Sequence, residues 1–248
     1  MLRVGRRVRR PLLLTTIPLG RRALAEGLGT GLLVVAVVGS GIAAERLSPG
    51  DTGLQLLENA AATATALVAI ILAVGAVSGA HLNPVVTLAD RFLGGLSTVE
   101  AGAYIAAQVA GGVIGTIVAN LMYSLPAVEV STHVRSGGGL WLGEVVATFG
   151  LLLVVLGLVR SGRASAVPFA VGAYIGGAYF FTSSTSFANP AVTVARALTD
   201  TFAGIAWRSV PAFVVAEVVG AALAVLAARA LYPQVAVAVH PQPEDLRV

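Results

Sequence analysis

Ser78-Gly79-Ala80-His81-Leu82-Asn83-Pro84-Val85-Val86-Thr87 is the stretch that decides the fold, read together with Asn189-Pro190-Ala191 further along the chain. A single Asn-Pro pair is ordinary turn chemistry. Here Asn83 and Asn189 stand 106 residues apart, each inside apolar sequence of the same rhythm. Asn is a favoured helix cap and Pro a favoured first helical residue, so each pair predicts a helix start. The stretches that follow, 85–93 and 191–201, are too short to cross a bilayer, which takes about 20 residues.

The surrounding composition says where those helices start. The chain has 248 residues, 56% of them hydrophobic and 11% charged, with a mean hydropathy of +0.87. Soluble domains carry roughly 25% charged residues, so the natural solvent is lipid. Apolar runs over 23–44, 57–78, 101–123, 140–159, 166–182 and 209–231 predict six transmembrane helices. Their interiors are rich in small residues, with 29 Gly in the chain, and small residues let helices approach closely in a bilayer. Cysteine is absent, and no phosphate loop, catalytic carboxylate pair or zinc spacing appears. No metal, no cofactor and no enzymatic activity are therefore expected.

All 16 basic residues are Arg, and seven of them fall within residues 1–22. Ala23-Leu24-Ala25 imitates a signal-peptide cleavage site, but the apolar stretch before it is short, contains Pro11 and Pro18, and is cut off by Arg21-Arg22. Residues 1–22 read instead as a cytoplasmic basic tail, with 233–248 a second cytoplasmic tail. Nucleic-acid binding is not expected, because the basicity is juxtamembrane. The positive-inside rule puts Arg160, Arg163 and Arg247 inside, and leaves only Arg46 and Arg135 in the outward loops 45–56 and 124–139.

The chain repeats itself. Shifted by 109, Ala107-Gln108-Val109-Ala110-Gly111 falls on Ala216-Glu217-Val218-Val219-Gly220; shifted by 118, Glu26 falls on Glu144. The fold class predicted is an all-α bundle of two three-span repeats, 23–123 and 140–232. A three-span unit crosses an odd number of times, so its second copy is inverted, and the site is expected at the midplane where the copies meet. Asn83 and Asn189 then cap half-helices that enter from opposite faces and meet with their N-termini together. Their dipoles place partial positive charge at the centre, and the Asn amides are donors there. Such a centre holds a water or hydroxylated solute by its oxygen and repels cations.

With these residues in view the chain resembles the aquaporin, or major intrinsic protein, family. The likeness rests on the Ser78 to Thr87 stretch, on Asn189-Pro190-Ala191 and on Glu26 and Glu144, and covers about 23–232. It implies a right-handed six-helix bundle with two re-entrant half-helices, a pore through each chain and a homotetramer in the lipid bilayer. Asn83, Pro84, Val85, Asn189, Pro190 and Ala191 would form the pore centre, with Val85 standing where Ala is usual. Glu26 and Glu144 would hold loop carbonyls in place. The family usually has Arg directly after the second Asn-Pro-Ala, where this chain has Val192. Carried over by spacing, the selectivity filter would be Thr63, Gly177, Ser186 and Val192, none of them aromatic or charged.

Two residues carry alternatives. Arg196 shares a helical face with Val192, and is read chiefly as an ion-pair partner of Asp200, otherwise as a cation of the outer vestibule. His81 either lines the inner vestibule or bonds to loop carbonyls. The function expected is a passive channel for water and small uncharged solutes, with a wide filter suited to polyols or metalloid hydroxides such as arsenite, in a bacterial plasma membrane. Glycerol facilitators usually place Asp after the filter Arg, where this chain has Thr193. The alternatives are an inverted-repeat secondary transporter and a non-conducting structural relative.

Overall fold

The computed structural model describes residues 17–232; Arg3 to Arg10, His240, Arg247 and the tails that carry them lie outside the described residues. Eight α-helices are found among these: α1 Leu19–Leu47, α2 Thr52–Ser78, α3 Pro84–Phe92, α4 Thr98–Met122, α5 Gly138–Arg160, α6 Val167–Phe181, α7 Pro190–Ala195 and α8 Val210–Leu231. Six are long and apolar enough to cross a bilayer, α6 with the help of the 3-10 turn before it, 18 residues in all. The other two, α3 and α7, are the short helices begun by the Asn-Pro pairs. The half-helix read from sequence over 191–201 stays α-helical only to Ala195 and tightens into a 3-10 turn over Arg196–Leu198.

Local chemistry fixes the ends. Asp51 caps α2 by accepting from the Leu54 amide at 2.9 Å, and Ser97 with Glu100 forms a capping box on α4. The first helix begins at Leu19 rather than 23, so Arg21 and Arg22 belong to it and not to a tail. Arg22 is buried and paired with Glu100, which explains why the helix can take it in.

Exposure is inverted relative to a water-soluble bundle. Leu24, Leu28 and Leu32, one helical turn apart on α1, are 61%, 58% and 55% exposed, while Glu26, Glu144 and Glu217 are 0% exposed. An outer surface of leucine around buried carboxylates suits a lipid solvent.

The contacts follow the duplication. In the first copy α1 packs on α4 and α2; in the second α5 packs on α8 and α6. Each half-helix also crosses over, α3 to α8 and α7 to α4, and α2 meets α6. The closest approach to a neighbouring backbone is at Gly111, where a Cβ would lie 2.0 Å from the Gly27 carbonyl oxygen. Gly220 holds the matching place in the second copy, 2.5 Å from the Val145 oxygen.

Candidate functional site

The two helix starts meet. Asn83 Oδ1 accepts from the Val85 amide at 3.0 Å, and Asn189 Oδ1 from the Ala191 amide at 3.0 Å, so each side chain caps its own half-helix. Each Nδ2 then crosses to the other copy: Asn83 donates to the Ala188 carbonyl at 2.7 Å, and Asn189 to the Leu82 carbonyl at 2.8 Å. A side-chain amide has two N–H donors. One is spent on this crossing bond, which locks the copies together, and the second remains for whatever occupies the cavity that both Asn line.

The loops before the Asn are held in one unusual conformation. Ala80 and Leu82 have φ of 49° and 51°, and their counterparts Ser186 and Ala188 have 54° and 48°. Side chains with a Cβ disfavour this left-handed region by roughly 1–2 kcal/mol per residue. Glu26 compensates by accepting from the His81 amide at 2.9 Å and the Leu82 amide at 2.6 Å. Glu144 does the same for Phe187 at 2.9 Å and Ala188 at 2.7 Å. The glutamates therefore grip amide N–H groups and not carbonyls, since a carboxylate accepts. Gripping the amides turns the carbonyls of Gly79, Ala80 and His81 away, and none of the three has a donor among the described residues.

Two further residues complete each bracket. Gln108 Nε2 donates to Glu26 at 2.8 Å and to the Thr87 hydroxyl at 3.0 Å. In the second copy Glu217 accepts from the Asn189 amide at 3.1 Å and the Thr193 hydroxyl at 2.6 Å. The shift of 109 already aligned Gln108 with Glu217, so the sequence held the signal without revealing the role.

A cavity of about 590 Å³ runs past both Asn. Its near end, on the face where α1 starts, is marked by His81, Asp90 and Ser165, and its far end by Thr63, Tyr179, Val192 and Arg196. Of the four expected filter residues, Thr63, Ser186 and Val192 reach this wall and Gly177 does not. Gly177 is exposed on the other side of α6, beside Phe181. Two residues advance a helix by about 200°, so Tyr179 takes the inward place, and its hydroxyl lies 3.1 Å from Thr63 Oγ1. The far end therefore does contain an aromatic ring. The hydroxyl of Ser186 is enclosed and without a protein partner.

The proline and aliphatic members of the two motifs sit behind the wall. Val85 points away from the cavity into an apolar groove against Val218 and Val225 of α8, because the Pro84 turn carries it to that side. Ala191 is fully buried. His81 lines the near end, and its ring bonds to the Thr87 hydroxyl at 3.2 Å instead of to a loop carbonyl.

Arg196 and Asp200 are not partners. Asp200 accepts from the Thr132 amide at 2.8 Å and from the Thr132 hydroxyl at 3.1 Å, which holds its carboxyl below the usual range. The helix tightens and ends after Arg196, so the fourth residue on no longer shares its face. Arg196 turns inward, donating Nε–H to the Ala203 carbonyl, with its Cζ 3.5 Å from the centre of the Phe187 ring.

Comparison with known proteins finds relatives over most of the chain. Residues 13–228 match the family model for the major intrinsic protein. The chain is 50% identical over 206 residues to the aquaglyceroporin AqpS of Rhizobium meliloti, covering 83% of this chain and 88% of that one. It is 31% identical over 233 residues to a probable TIP-type alpha aquaporin of Phaseolus vulgaris, covering 90% and 88%. The X-ray structure of the aquaglyceroporin from Plasmodium falciparum shares the fold, with a TM-score of 0.66 at 23% identity over 86% of this chain and 95% of that one.

Proposed function

We propose, from the premise that the chain belongs to the major intrinsic protein family, that its pore passes small polyols or metalloid hydroxides such as arsenite as well as water. The protein is an integral membrane channel for water and small solutes. The observation that carries the finer reading is the two-sided far end of the cavity. Thr63 and Tyr179 bring hydroxyls to one side, and Val192 leaves an apolar patch beside them. A small polyhydroxylated molecule has both kinds of surface, with hydroxyls for the polar side and a hydrocarbon or metalloid core for the other. The AqpS relative, an aquaglyceroporin by name, supports the same class. Tyr179 makes this filter narrower than Gly177 would have done.

Transport needs no chemistry from the protein. A solute sheds water at the mouth and exchanges it for the row of unpaired loop carbonyls. At the centre its oxygen accepts the free N–H of Asn83 and Asn189, where the half-helix dipoles oppose a cation. The secondary-transporter alternative lacks support, because Glu26, Glu144 and Glu217 are occupied with loop amides and none lines the cavity. The proposal includes a homotetramer in a bacterial plasma membrane with the α1 start facing the cytoplasm, and cross-linking to four chains is the expected outcome.

Stopped-flow shrinkage and reswelling of proteoliposomes tests the solute class. Glycerol and arsenite should enter far faster than into empty vesicles, and Val192→Arg should cut their flux much more than that of water. Water flux without glycerol or arsenite entry refutes the solute class. Equal permeabilities in the two proteins remove Val192 from the filter.

A further inference from the structure

Arg196 is the one arginine on the cavity wall among the described residues, and it is 2% exposed. Its position is fixed on two sides. The Nε–H is spent on the Ala203 carbonyl, and one face of the guanidinium lies on Phe187. Phe187 is itself pinned, through its amide to Glu144 and through its ring edge to Phe213, 5.1 Å between centres. Guanidinium over an aromatic face is favourable and orients the plane. The four N–H groups on the terminal nitrogens remain. None has a hydrogen-bond partner among the described residues. Arg196 lines the far end of the cavity, one turn beyond Val192.

We propose that Arg196 is the specificity-determining cation of this pore, supplying from the next helical turn the positive charge and the donors that Val192 does not. The terminal N–H groups of Arg196 donate to the hydroxyl oxygens of a passing neutral solute. Its charge raises the barrier to protons and metal cations on top of the two half-helix dipoles. The inference rests on the channel reading and adds a residue to it.

The test uses the full-length protein in proteoliposomes, with water flux measured by light scattering and proton and sodium leak measured under an imposed potential. In Arg196→Gln the leak per unit of water flux should rise at least about tenfold, since a full charge beside a narrow pore is removed. Arg229→Gln, on the near face away from the cavity, controls for loss of charge elsewhere and should leave the ratio unchanged. Arg196→Lys keeps the charge without the planar fork, so it should keep the leak low while changing the glycerol-to-water ratio. A folded Arg196→Gln with unchanged leak overturns the proposal, as does one that loses water flux altogether. If Arg196→Gln does not assemble, an Arg196→Lys protein with an unchanged glycerol-to-water ratio overturns it instead. Failure of the unmutated protein to conduct would be a failure of the channel reading and is distinguishable from all of these.

Discussion

Replacing Glu144 tests the link between a buried carboxylate and the pore centre. Glu144 is fully buried and accepts from two consecutive amides, those of Phe187 and Ala188. Hydrogen bonds to a charged group contribute about 1.5–3 kcal/mol each, so Glu144→Ala removes about 3–6 kcal/mol of local support. That support holds Ser186 and Ala188 at positive φ, conformations that cost roughly 1–2 kcal/mol apiece. The loss exceeds what the loop can bear in place, so it should relax and carry Asn189 off its bond to the Leu82 carbonyl. Glu144→Gln keeps one acceptor oxygen and turns an NH₂ toward the other amide, so about half the support remains. The expected order of water permeability is wild type, then Glu144→Gln, then Glu144→Ala, with the last at least about tenfold down. Melting temperatures in detergent should fall in the same order, by several degrees at each step. A Glu144→Ala protein with wild-type flux and wild-type melting temperature would refute the bracket argument.

Other outcomes follow from single contacts. Gly111→Ala puts a Cβ 2.0 Å from the Gly27 carbonyl oxygen, so it should force α1 from α4 and abolish folded protein on size-exclusion chromatography, while Gly102→Ala, with nothing within 4 Å, should not. Glu217→Gln should be neutral or stabilising in a thermal melt, because Gln108 fills the matching place in the first copy and the Glu217 carboxyl lies against that of Glu144, so an amide avoids a second buried carboxyl there; a loss of several degrees would contradict it. Asp200 has a lowered folded-state pKa because the Thr132 amide donates to it, so its contribution is complete above the unfolded value of about 3.9 and is lost only as pH falls through the lower folded value. Hydrogen exchange at the Thr132 amide should stay protected at pH 4 and open on further acidification; opening above pH 4 would contradict the assignment.

The sequence made the architecture legible because lipid and duplication both leave strong marks. Six apolar runs, two Asn-Pro helix starts and the Glu26 and Glu144 match are each set by local chemistry, and all reappear in space. Helix rotation is different. The faces of α6 are alike in size and polarity, so counting back from Asn189 put Gly177 inward, whereas the loop geometry turns Tyr179 to the cavity. The Arg196–Asp200 pairing failed for a related reason, since it assumed an α-helix past the point where the chain tightens and ends. The roles of Gln108 and Glu217 depend on contacts across more than 20 residues, which no local pattern encodes.

Osmotic water flux through the purified protein in liposomes, measured against the size of the gradient, tests the paired-asparagine pore most directly. A rate that rises in proportion to the gradient, with no requirement for a proton or sodium gradient, is the predicted result. Flux that saturates and depends on such an ion gradient would contradict it.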